Sequence, residues 1–100
     1  MLGLINTKYE IEGLKSFQKN FKKVVKQGKD INKFKNILSK LANKEKLEQK
    51  HKDHKLTDNK YFKDCRECHI EPDWLLVYKY LDDKLILVLV DTGSHSEVFK

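Results

Sequence analysis

Four histidines can move protons near neutral pH: His51, His54, His69 and His95. A histidine taken alone is more often a surface or hydrogen-bonded structural residue. Two or more meeting on one cleft can act as base and acid, the requirement for cutting RNA without a metal. The base takes the proton of a ribose 2′-OH, which attacks the adjacent phosphorus. The acid protonates the departing 5′ oxygen. Asp73 stands beside such a group at the start of a strand, and Phe99 can stack on a nucleobase or anchor the tail of the chain. Spacing leaves open whether these residues converge.

The run Cys65-Arg66-Glu67-Cys68-His69 suggests other chemistry. C-x-x-C-H is the attachment motif of c-type haem. The chain carries no export signal, and its only methionine is Met1, so haem is disfavoured. Zinc is the stronger rival, with Cys65, Cys68, His69 and either His54 or His95 as ligands. A strand would send Cys65 and Cys68 to opposite faces, which leaves two unpaired, reduced thiols in a sheet as the simplest reading.

Helices and strands must position these groups. Met1–Ile5 can form a short strand. From Tyr9 to Gln27 the positions Ile11, Leu14, Phe17, Phe21 and either Val24 or Val25 mark one face of a helix, although Gly13 is costly there by about 1 kcal/mol. Gly28 suits the residue after its end. Asp30 can cap a second helix with the inner face Ile31, Phe34, Ile37, Leu38 and Leu41. Together they make an antiparallel pair, apolar inside and lysine-rich outside. Residues 43–59 are polar and read as a long loop, a feature more often functional than not. From Lys63 the period becomes two: Cys65, Glu67 and His69 point one way and Arg66, Cys68 and Ile70 the other. Trp74–Tyr80 forms a second strand whose aromatic residues read as core. Asp82-Asp83 is a turn. Leu85–Val90 suits a strand covered on both sides, broken by Thr92-Gly93-Ser94, and His95–Phe99 can form a last helical turn. The expected fold is α+β, with a short N-terminal strand and two helices packed on a twisted, mainly antiparallel sheet.

One hundred residues support one domain, 1–100, and a shallow cleft rather than a lidded site. The net charge is +6, divided as +10 over residues 1–63 and −4 over 64–100. This excess suits a polyanion or an acidic protein partner. The expected location is the cytoplasm, since no apolar run approaches a membrane span and no signal segment is evident.

Three stretches, Asp53-His54-Lys55-Leu56, Arg66-Glu67-Cys68-His69-Ile70-Glu71-Pro72-Asp73-Trp74 and Thr92-Gly93-Ser94-His95-Ser96-Glu97-Val98-Phe99, resemble the signature stretches of YafQ-like toxins in the RelE superfamily. The resemblance implies a RelE-like fold and a type II toxin that cuts mRNA on the ribosome, with no cofactor and no metal, neutralised by a co-encoded antitoxin. By motif position it assigns a catalytic surface of His54, His69, Asp73, His95 and Phe99. His95 would be the general acid and His54 the base, with His69 able to exchange roles with His54. Asp73 would orient or charge a histidine, and Phe99 would hold the base next to the scissile phosphate. Where the family often carries arginine, this chain has Asp91. Arg66, Lys52 or Lys55 would then hold RNA phosphates. The alternative is a weakened or inactive RNA- or protein-binding module on the same fold.

Overall fold

A strand that is apolar on both faces leaves two demands, a cover for each side and a partner for each edge, and the chain meets both around Ile86–Gly93 (β5). The computed structural model describes residues 7–57 and 60–99. The expected strand Met1–Ile5 lies outside the described residues. The elements run β1 (Glu10–Gly13), α1 (Lys15–Lys26), α2 (Ile31–Ala42), a 3₁₀ turn (Gln49–His51), β2 (His54–Lys55), β3 (Arg66–Glu71), β4 (Trp74–Leu81), β5 and α3 (His95–Val98). Among the described residues the strands form one sheet in the order β1-β5-β4-β3-β2, antiparallel except where β1 runs parallel to β5.

The first helix is shorter than its periodicity suggests. Glu10–Gly13 is a strand, registered from Glu10 opposite Ile86 to Gly13 opposite Leu89. The edge of β5 supplies unpaired backbone groups, and satisfying them outweighs a weak local preference for helix. Ile11 is β-branched and suits a strand, and Gly13 escapes the cost it would carry inside a helix. The Leu14 amide still donates to Leu89 O at 2.9 Å, and α1 starts one residue later. Gly28, with φ +78°, follows the end of α1. Asp30 caps α2 by accepting from the Asn32 amide at 2.9 Å.

The expected strand Leu85–Val90 is shifted. Leu85 has φ +53° and is exposed at the end of the β4–β5 turn. The strand instead continues through Thr92 and Gly93 because β4 pairs with both. The polar segment 43–59 is not uniformly irregular: it holds the 3₁₀ turn, β2 and the buried Leu47.

Both helices pack on one face of the sheet. Phe17, Phe34 and Leu38 meet Cys68, Ile70, Trp74, Leu76, Tyr78, Leu87 and Leu89 there. Phe21 and Phe34 lie 4.8 Å apart by ring centroid, and Phe34 and Trp74 6.4 Å apart. The aromatic residues of β4 are therefore core, as their spacing indicates. The other face carries a smaller cluster of Cys65, Val77, Val88, Val90 and Val98, with Leu56, Phe62 and Phe99 against it. No helix among the described residues is long and apolar enough to cross a membrane.

Thr92 joins the strands inside the main core. Trp74 Nε1 donates to Thr92 Oγ1 at 3.0 Å, and that hydroxyl donates to Leu75 O at 2.7 Å. Thr92→Val should leave a buried indole N–H and a carbonyl unpaired and lower stability by about 1–3 kcal/mol. Denaturant unfolding with an unchanged m-value checks this.

Candidate active site

Strand alternation decides which side chains can meet. In β3, Arg66, Cys68 and Ile70 turn toward the helices, while Glu67 and His69 turn to the opposite face. His54 lies directly across from Glu67 in the β2–β3 pair and shares its face. A single carboxylate oxygen, Oε1 of Glu67, lies 3.2 Å from His69 Nε2 and 3.9 Å from His54 Nε2. Glu67 is only 5% exposed, so this carboxylate has little water to satisfy it.

The other nitrogen of each ring is fixed by a carbonyl. His54 Nδ1 donates to Lys52 O at 2.6 Å, and His69 Nδ1 donates to Pro72 O at 3.1 Å. A carbonyl oxygen only accepts, so in both rings Nδ1 carries hydrogen and Nε2 is the atom left for proton transfer. The close contact of His69 Nε2 with Glu67 requires a hydrogen between them. His54 stands farther from Glu67 and is half exposed, so its Nε2 is the more open of the two.

β5 and α3 supply the remaining groups. The Ser94 side chain accepts from the Glu97 amide at 3.3 Å, and the Ser94 amide donates to Glu97 Oε1 at 2.8 Å, a reciprocal cap at the start of α3. Gly93 makes room for it, since a Cβ there would meet Glu97 Oε1 at 3.1 Å. The His95 amide donates to Asp73 Oδ1 at 2.9 Å. Asp73 thus fixes the main chain of His95 rather than charging its ring. The His95 ring lies 5.2 Å from Phe99, and Phe99 packs edge-on against Phe62 at 5.8 Å. Phe99 does anchor the tail.

The structure thus joins His54 and His69 through Glu67. It carries on through Pro72 and Asp73 of the β3–β4 turn to His95 and Phe99. It does not bring in every expected residue. Arg66 lies on the helix side, with a terminal guanidinium nitrogen 3.4 Å from Asp53 Oδ2 and its Nε donating to Tyr78 at 3.4 Å. Lys55 pairs with Arg66 and shares that face, which leaves Lys52 as the lysine whose backbone touches the histidine cluster. Cys65 and Cys68 sit in separate hydrophobic clusters on opposite faces, so they cannot share an ion, and burial pushes both thiols up. His51 Nδ1 donates to His69 O at 2.7 Å and ties the 3₁₀ turn to β3. Asp91 is occupied: it accepts from Asn20 Nδ2 of α1 at 2.6 Å and from the Thr92 amide at 2.8 Å.

Glu67 is the residue that sequence reasoning missed. Its signal was available in the alternation that put it on the face of His69, where a buried acid needs a partner.

A family model described as bacterial toxin of type II toxin–antitoxin system, YafQ, matches residues 9–100. The mRNA interferase toxin YafQ of Escherichia coli K12 is 40% identical over 91 residues, which cover 90% of this chain and 95% of the relative. A metal-bound toxin from Helicobacter pylori superposes with TM-score 0.84 at 43% identity, covering 91% of this chain and 99% of that one. The toxin of the E. coli DinJ–YafQ complex superposes with TM-score 0.80 at 36% identity, covering 92% and 99%.

The α3 cap gives a pH prediction. Hydrogen bonds from the Ser94 amide and side chain hold the Glu97 carboxyl below its ordinary range. A depressed carboxyl contributes stability above its unfolded value, roughly pH 4.3, and that contribution is lost as pH falls through the lower folded value. Glu97→Ala should remove this part of the acid limb of unfolding, seen as a flatter dependence of stability on pH below about 4.

Proposed function

This chain belongs to the YafQ family of type II toxin–antitoxin toxins, endoribonucleases known as mRNA interferases, and we propose that it cuts ribosome-bound mRNA with histidine side chains as acid and base. The observation that carries this reading is the meeting of His54 and His69 at Glu67, with His69 bonded to Pro72 O of the turn whose Asp73 holds the His95 amide. His54 Nε2, the more exposed, takes the proton of the 2′-OH. The 2′ oxygen bonds to phosphorus, and the bond from phosphorus to the 5′ oxygen breaks. His95 gives its ring proton to that oxygen, so the products carry a 2′,3′-cyclic phosphate and a 5′-hydroxyl. Glu67 holds the His69 ring through Nε2, which leaves His54 the freer of the two to act as base. Phe99 stands beside His95, where it can hold a nucleobase against the scissile phosphate, and Lys52 can meet a phosphate.

Each step is assigned to protein groups. Like the E. coli toxin in its complex with DinJ, this protein is held in check by a co-encoded antitoxin, and an acidic one suits its lysine-rich helices. The reading places it in the cytoplasm, where ribosomes and mRNA are.

His95→Ala and His54→Ala should each slow cleavage by about 10²–10⁴-fold and relieve growth arrest on expression without antitoxin. Mapping transcript 5′ ends after induction, with and without an inhibitor of translation initiation, checks both cleavage and its dependence on the ribosome. A fully toxic His95→Ala variant would contradict the acid assignment.

The inactive-module alternative rested on Asp91 repelling phosphate. Against it, Asn20 of α1 and the Thr92 amide, both neutral donors, fix where that carboxylate points without removing its charge. Asp91→Asn should leave the cleavage rate unchanged and lower stability by about 1 kcal/mol, as a parallel cleavage and unfolding assay would show.

A further inference from the structure

β2 is only two residues long, and both are exposed, yet it must hold His54 within reach of Glu67. Little burial of its own fixes its register. The residue before Asp53, Lys52, has φ +47°, a conformation that a lysine adopts only when its surroundings impose it. Something must hold this segment, and the neighbour of His54 on the other face of the sheet does so.

We propose that Asp53 is the positioning residue of His54, held through the sheet by Tyr78 and Arg66. The Asp53 side chain accepts from the Tyr78 hydroxyl through Oδ1, and its Oδ2 lies 3.4 Å from the Arg66 guanidinium. Arg66 Nε donates in turn to the Tyr78 hydroxyl at 3.4 Å, which closes a three-membered network. Tyr78 is fully buried in the main core and lies directly across from Arg66 in the β3–β4 pair, so the network is fixed to the most rigid part of the molecule. The Tyr78 hydroxyl stays a donor, because burial and the neighbouring Asp53 carboxylate hold its proton. Asp53 and His54 are consecutive, so anchoring one carboxylate on the helix side sets where the next side chain emerges on the reactive side. The backbone between them is short enough to transmit this: Lys52 O, one residue before Asp53, is the acceptor that orients the His54 ring. The network touches none of the reacting atoms and acts only through His54.

This proposal rests on the reading of His54 as the base, and a double-mutant cycle separates the two. Purified toxin is assayed on ribosomes programmed with mRNA, as wild type, Asp53→Ala, His54→Ala and the double variant, with Tyr78→Phe as a change that keeps the core ring. Asp53→Ala should lower kcat roughly 10²-fold, the loss expected from a small misplacement of a catalytic group, with KM unchanged because Asp53 faces away from substrate. The double variant should be no slower than His54→Ala alone, since Asp53 has no other route to the chemistry. Tyr78→Phe should lower kcat in the same direction. Ring ¹⁵N shifts should show the Nδ1–H form of His54 in wild type and its loss in Asp53→Ala, while thermal unfolding shows that the variant folds. An Asp53→Ala enzyme with full kcat, a loss that multiplies with that of His54→Ala, or a loss in KM alone overturns the proposal while His54 stays the base. A fully active His54→Ala enzyme overturns the base assignment and, with it, the proposal.

Discussion

The structure depends on β3 giving its two faces different work. A strand alternates its side chains, so one face of β3 packs against the helices while the other carries the carboxylate and imidazole that meet there. Cys68 and Ile70 fill the first role, and Glu67 and His69 the second. Glu67 would be costly to bury alone. His69, whose Nε2 lies 3.2 Å away, offsets that cost, and Glu67 in turn fixes where that nitrogen points. A carboxylate that is only 5% exposed thus couples the stability of the sheet to the alignment of that histidine.

The second hydrophobic cluster explains how α3 reaches the same face. Val98 packs with Val77, Val88 and Val90, and Phe62 and Phe99 close over it. A helix of four residues has little stability of its own. The Ser94–Glu97 cap, the Asp73 carboxylate on the His95 amide and this small cluster hold it in place. Asp73 therefore does its work on the main chain, which differs from the usual picture of an acid behind a histidine ring.

Lysines crowd the first two-thirds of the chain, yet the face that carries the histidine cluster gathers few of them. Lys55 and Arg66 look toward the helices, and Arg66 is engaged with Asp53 and Tyr78. Basic charge can draw in a polyanion at long range without touching the phosphate that is cut. The histidine cluster and the lysine-rich helices thus lie on opposite faces of one sheet.

The sequence by itself determined the elements whose signals are local. Apolar spacing marked α1 and α2, Asp30 and Gly28 marked their ends, and the period of two marked β3. Only the tertiary structure decided the rest, because the deciding partners lie far along the chain. Residues 10–13 became a strand because the edge of β5, more than seventy positions later, needed pairing. Arg66 was turned away from the site by alternation and captured by Asp53. Glu67 gained its role from His54, thirteen residues earlier and placed by a two-residue strand. Periodicity reports which face a residue takes within its own segment. Which faces come together is set by edge pairing and burial, which act between segments and leave no mark in either one alone.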